Sequence, residues 1–171
     1  MGPTEVNGLP AHPLFAHAVV VLVPLTCLAL VVAAVRSTWL ARLGVFLPLL
    51  AAVTLVLVPL TTNAGEWLEE RVPKGSAVER HTDLGETLLP WVIALLVLAV
   101  LLWLAGRRTA VPQEPGGGGG RVASAPVRVA AIVLSVAVAV GALVQVYRIG
   151  DSGAAAVWHG KVSRTPLPGR D

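Results

Sequence analysis

Charge is what this chain has least of. Of 171 residues, 13 are Lys or Arg and 10 are Asp or Glu, 13% of the chain, where a soluble domain carries about 25%. With 55% hydrophobic residues, so little charge excludes a single water-soluble core. Cysteine is nearly absent too. The lone Cys27 allows no internal disulfide and no Cys-x-x-Cys-His haem attachment, and in the middle of an apolar run it reads as a small hydrophobe. The sequence has no His-Glu-x-x-His helix and no nucleophile–base–orienter pattern. Its run of glycines at 116–120 lacks the Lys-Ser/Thr of a phosphate loop, so no nucleotide site and no enzyme are indicated. The net charge is +3, but the basic residues stand singly at the ends of apolar runs and form no stripe, which argues against nucleic acid. Residues 1–12 hold no Lys or Arg, and the following apolar run is too long for a signal-peptide core, so that run is expected to stay in place. No Asp, Glu, Lys or Arg lies inside any apolar run, which disfavours an ion-coupled transporter.

What is present is length without charge. Runs at 13–35, 43–60, 87–106 and 129–147 are free of charged residues. Each reaches the roughly 18 residues that read as a transmembrane helix. Backbone groups in hydrocarbon must be satisfied within their own segment, so each run is expected to be helical. The fold expected is all-α: an integral membrane four-helix bundle of up-down topology in the lipid bilayer, with spans at about 13–35, 40–61, 84–106 and 127–148. Residues 1–11 read as a flexible tail and 12–160 as the membrane domain. Its Gly-rich stretch 109–124 reads as a disordered linker, and 161–171 as a second tail. Pro13 suits a first helical turn and Pro24 a kink, while the second span is expected to end near Pro59. In the second loop, 66–72 read as a short interfacial helix. Ser76 and Glu79 match a capping box that starts a further helix near Ala77. That helix carries His81 and enters the membrane through Pro90 and Trp91. Trp39 and Trp103 are expected at one membrane boundary, Trp67 and Trp91 at the other. In the fourth span Ala131, Ser135 and Ala139 repeat at four, as do Ala137 and Gly141. That small-residue face would let a protein partner or a second copy approach closely.

Orientation follows from the basic residues of the short loops. Arg36, Arg42, Arg107, Arg108, Arg121 and Arg128 lie on one side against Glu114. On the other side stand Glu66, Glu69, Glu70, Glu79, Asp83 and Glu86 against Arg71, Lys74 and Arg80. Both termini are therefore expected outside a bacterial cytoplasmic membrane and the linker inside, although Arg148 lies on the outer side.

Four spans with both ends on one side bring all four histidines, His12, His17, His81 and His159, to that side. Histidine is the commonest metal ligand and also binds haem iron, and bundles hold such groups between facing helices. The pair expected to share a ligand is His17 with His81, with Gly85 one turn after His81 leaving room for a planar group. Haem b, or zinc or copper with His12, Glu66 or His159 as further ligands, are the groups this set would hold. The competing reading has His17 bonded to a backbone carbonyl, Gly85 easing packing and Glu66 on a solvated face. Two function classes stand: a redox or metal-handling membrane protein, and a structural or accessory subunit.

His12-Pro13-Leu14-Phe15-Ala16-His17 opens the first span, and Gly65-Glu66-Trp67 follows the second. His81-Thr82-Asp83-Leu84-Gly85 precedes the third, and Gly150-Asp151-Ser152-Gly153-Ala154 with Val157-Trp158 follows the fourth. In this order they resemble a bacterial membrane-protein family known as domain of unknown function 2231, over roughly residues 9–160. The resemblance implies a four-helix membrane domain of unknown activity, with haem or metal binding suspected for some members. The Gly-rich linker looks like an expansion.

Overall fold

The computed structural model describes residues 3–109 and 124–163. Most of the expected linker and tails therefore lies outside the described residues. The elements in order are β1 (Glu5–Val6), β2 (Leu9–Pro10), α1 (His12–Val35), α2 (Ser37–Leu43), α3 (Phe46–Glu69), α4 (Ser76–Glu86), α5 (Leu89–Thr109) and α6 (Ala125–Trp158). Four helical units are long and apolar enough to cross a membrane: α1, α3, α4 running on into α5, and α6. The chain is an all-α four-helix membrane bundle. Successive spans alternate in direction. Helix α1 packs between α3 and α6, and so does α5, which leaves α1 and α5 on the diagonal.

Val23, Leu30, Leu47, Val92 and Leu95 fill the centre, and the exposed Val and Leu residues of every span form the outer face. Lipid is as apolar as leucine, so helices in it associate through close packing and polar contacts. The hydroxyls of Thr26 and Thr54 meet at 2.9 Å between α1 and α3, a contact worth about 0.6 kcal/mol in a bilayer. On α6, Ser135, Ala139 and Ala142 are buried, and a Cβ on Gly141 would fall inside the Trp91 ring. The small-residue face expected to receive a partner is thus mostly spent within the bundle. Of the five residues named for it, only Ala137 is exposed. Trp91 is accordingly turned onto α6 and does not act as a boundary anchor. Of the tryptophans expected at a boundary, the other three each lie under an Arg three or four residues on: Trp39 with Arg42, Trp67 with Arg71 and Trp103 with Arg107.

Several boundaries differ from expectation, each for a local reason. The leader is folded. Asn7 and Gly8 have φ of 52° and 76°, the two left-handed positions of a type I′ turn, and they pair Val6 with Leu9. The second span starts at Phe46, later than 40, because α2 takes residues 37–43 as a separate helix. Extended Arg36 and left-handed Gly44 (φ 49°) bracket α2. Helix α3 does not stop at Pro59. The side chains of Thr61, Thr62 and Asn63 bond back to the carbonyls of Leu57, Val58 and Pro59, and the helix runs to Glu69. Residues 66–69 are therefore its last turn, not a separate interfacial helix. The short helix of the second loop is α4. Its N-cap is Gly75, and no side-chain cap bond forms, because Ser76 already sits inside the helix. Between α4 and α5 the chain turns at Thr87 and Leu88, where Pro90 offers no N–H to continue the ladder.

Candidate functional site

Helix α4 runs on into α5 through the turn at Thr87 and Leu88 and packs between α6 and α3. Three side-chain bonds secure it. Thr82 donates to Glu69 of α3 at 3.1 Å. Buried Gln145 of α6 donates to the Leu84 carbonyl at 3.1 Å and also meets the Thr87 hydroxyl. In this position α4 carries His81 inward over the N-terminus of α1, where His12 stands. The two rings are edge to face, with centroids 5.9 Å apart and planes at 82°.

Each ring is held by a backbone carbonyl. His12 Nδ1 donates to the Thr61 carbonyl of α3 at 3.0 Å. His81 Nδ1 donates to the Ile149 carbonyl of α6 and shares Ser152 Oγ, both at 3.1 Å, while Ser152 itself donates to Ile149. A carbonyl only accepts, so the proton of each neutral ring must be on Nδ1. Both Nε2 atoms then keep a free lone pair, and neither has a hydrogen-bond partner among the described residues. A carbonyl behind Nδ1 with a bare Nε2 is how metal-binding histidines are commonly oriented.

Two glycines make the space. A Cβ on Gly65 of α3 would come within 2.9 Å of His12 Nδ1, and one on Gly153 of α6 within 3.0 Å of His81 Cε1. The first distance is closer than real Cβ atoms come and the second tighter than most Cβ contacts, so each ring lies close on a glycine backbone. α1, α3, α4 and α6 each supply one part of the site.

This arrangement changes the expected pairing. His17 does not meet His81. It is exposed, and its Nδ1 is tied 2.5 Å from the Pro13 carbonyl of its own helix, the position an i−4 carbonyl offers. His12 takes the place assigned to it. Gly85 has open space where its Cβ would be, with nothing within 4 Å. Gly85 and Glu66 instead line a separate cleft of about 210 Å³ with Val58, Pro59, Thr62, Glu86 and Leu89. His159 is exposed at the end of α6. The residues missed by sequence reasoning are Gly65, Ser152, Gly153 and the carbonyls of Thr61 and Ile149. Gly65, Ser152 and Gly153 stood in the motifs quoted above, but nothing in their spacing showed that they lie against histidines.

Two imidazoles on one ion, with metal–nitrogen bonds of about 2.0–2.1 Å, put their ring centroids roughly 5–6.5 Å apart; the 5.9 Å between His12 and His81 falls within that range. Among the described residues no three His, Cys, Asp or Glu gather to hold a metal. His12 and His81 together therefore present two ring nitrogens, fewer than the four-ligand shell of a structural zinc. A macrocycle fits less well. The 210 Å³ cleft and a second one on α1 and α2 adjoin neither ring.

The family model described as Predicted membrane protein (DUF2231) matches residues 8–166. No curated protein and no solved structure matches the chain.

Proposed function

We propose, from the premise that the chain belongs to the DUF2231 family of predicted membrane proteins, that it handles a transition-metal ion at a site made by His12 and His81. The observation carrying this reading is the pair itself: two imidazoles 5.9 Å apart, each held through Nδ1 by a carbonyl. Zinc or copper suits two neutral nitrogens. Such an ion would serve as a Lewis acid or, for copper, a one-electron carrier. A two-nitrogen set favours an exchangeable ion over a structural one. The alternative remains a structural or accessory subunit, whose partner would have to meet faces other than the small-residue face of α6.

The test is metal retention by the purified chain in detergent, measured by elemental mass spectrometry after zinc or copper loading and gel filtration. About one ion per chain is expected. A wild-type chain that holds no metal, and shows no Soret band after haem loading, overturns the reading. A Soret band without metal retention would move it from a bare ion to haem.

Two further results are expected. Gly65→Ala drives a methyl against His12 Nδ1 and should disturb its bond to Thr61. Loss of such a supporting bond lowers metal affinity about 10–100-fold, and titration of the variant reads that directly. Lowering the pH through roughly 8 to 5, where histidine takes up protons, should release the ion. Protons compete for the same Nε2 atoms, so binding is strongest at the high end and lost at the low end. A Gly65→Ala chain with unchanged affinity, or retention flat across that range, counts against the two-histidine site.

We also place both termini outside the cytoplasmic membrane, on the loop charges. A reporter active only in the cytoplasm should stay dark at the C-terminus and give signal within 116–120. The opposite pattern reverses the orientation.

A further inference from the structure

At the other end of the bundle α1 ends and Arg36 turns the chain into α2. Val31, Val32, Val35, Arg36 and Trp39 line a cleft of about 360 Å³ there. Its wall is almost wholly aliphatic and aromatic, so at membrane depth it takes an acyl chain. What is specific is the rim. Arg36 is exposed, and its guanidinium has no acceptor among the described residues. Two more cations stand beside it. Arg42 stacks over Trp39 with its guanidinium carbon 5.6 Å from the ring centre. Arg128 of α6 donates to the Val35 carbonyl at 3.0 Å. That bond caps the end of α1 and offsets the negative pole of its dipole, which would otherwise repel an anion. Among the described residues no Asp or Glu lies at this end. None occurs over 6–65, 87–109 or 124–150.

We propose that this cleft binds an anionic glycerophospholipid, one acyl chain along Val31, Val32 and Val35 and the phosphate on Arg36. The spacing is right. Val31 to Arg36 covers about 7 Å along a helix axis, the step from hydrocarbon to headgroup. The planar guanidinium forks onto two phosphate oxygens, which a point charge does not. A zwitterionic lipid offers the same phosphate but cancels it with its own cation. Three arginines with no Asp or Glu at this end among the described residues therefore favour a headgroup of net negative charge. The site is independent of the histidine pair.

The test uses the full chain in neutral detergent, mixed with equal phosphatidylglycerol and phosphatidylcholine, freed of unbound lipid by gel filtration and analysed by mass spectrometry. Phosphatidylglycerol should be enriched at least about fivefold over phosphatidylcholine, an enrichment that shrinks as salt is raised. Arg36→Gln should bring the ratio close to one, Arg36→Lys should retain part of it, and Arg148→Gln, at the opposite end, should leave it unchanged. Equal retention of the two lipids by the wild-type chain overturns the proposal, as does a salt-independent ratio. An Arg36→Gln chain that keeps the enrichment does the same. Displacement of phosphatidylglycerol by millimolar inorganic phosphate would reduce the site to one for any small anion, and the lipid assignment would fall.

Discussion

Replacing His81 with Ala is expected to lower zinc or copper affinity by more than about a hundredfold, beyond the 10–100-fold usually lost with a supporting partner. The reason is the donor count. Only His12 and His81 stand together, and no group of three or more candidate ligands exists among the described residues. Losing one of two nitrogens leaves nothing that chelates. His12→Ala should match it. His17→Ala should change nothing, because that exposed ring is bonded to its own helix. The fold should survive each change. Helix α4 keeps its bonds from Thr82 to Glu69 and from Gln145 to Leu84, and neither histidine lies within an apolar run. Circular dichroism and gel filtration would confirm that the variants are intact. Metal retention by His81→Ala at the wild-type level would sink the site. So would an effect of His17→Ala as large as that of His81→Ala.

The second large effect is on stability. Gly141→Ala is expected to destabilise the bundle by about 2 kcal/mol or more, within or above the 1–3 kcal/mol usual for overpacking. The added methyl would overlap the six-membered ring of Trp91. That ring packs against the buried core where α5 meets α6, so it has no free volume to swing into. Relief should come from the partner. In the double variant Gly141→Ala with Trp91→Leu, the combined cost should fall well below the sum of the two single costs, since the clash is shared. Unfolding in mixed micelles with rising SDS would measure all four proteins. A Gly141→Ala chain as stable as the wild type, or costs that simply add, would show that Trp91 does not rest on Gly141.

Much of the membrane architecture was legible because the bilayer imposes it locally. A long apolar run free of charge must be a helix, wherever its neighbours are. The side occupied by each histidine followed from counting spans. Helix ends were less legible. Pro59 lies inside α3 without ending it, and Asn7-Gly8 is a hairpin signal so short that it reads as a tail.

Pairing across the site was not legible at all. His17 looked the better ligand because it stands deeper, but depth along a helix does not decide which way a ring faces. His12 meets His81 because α4 carries the third span on past the start of α5 to the first turn of α1. The glycine beside His81 likewise comes from α6, not from the next turn of its own helix. The sequence by itself determined the membrane class, the four spans and the end at which the histidines gather, since each follows from chain-local hydropathy and connectivity. Only the tertiary structure decided that His12 and His81 face each other over Gly65 and Gly153. That contact joins residues 69 positions apart, and no local preference encodes a distance of that kind.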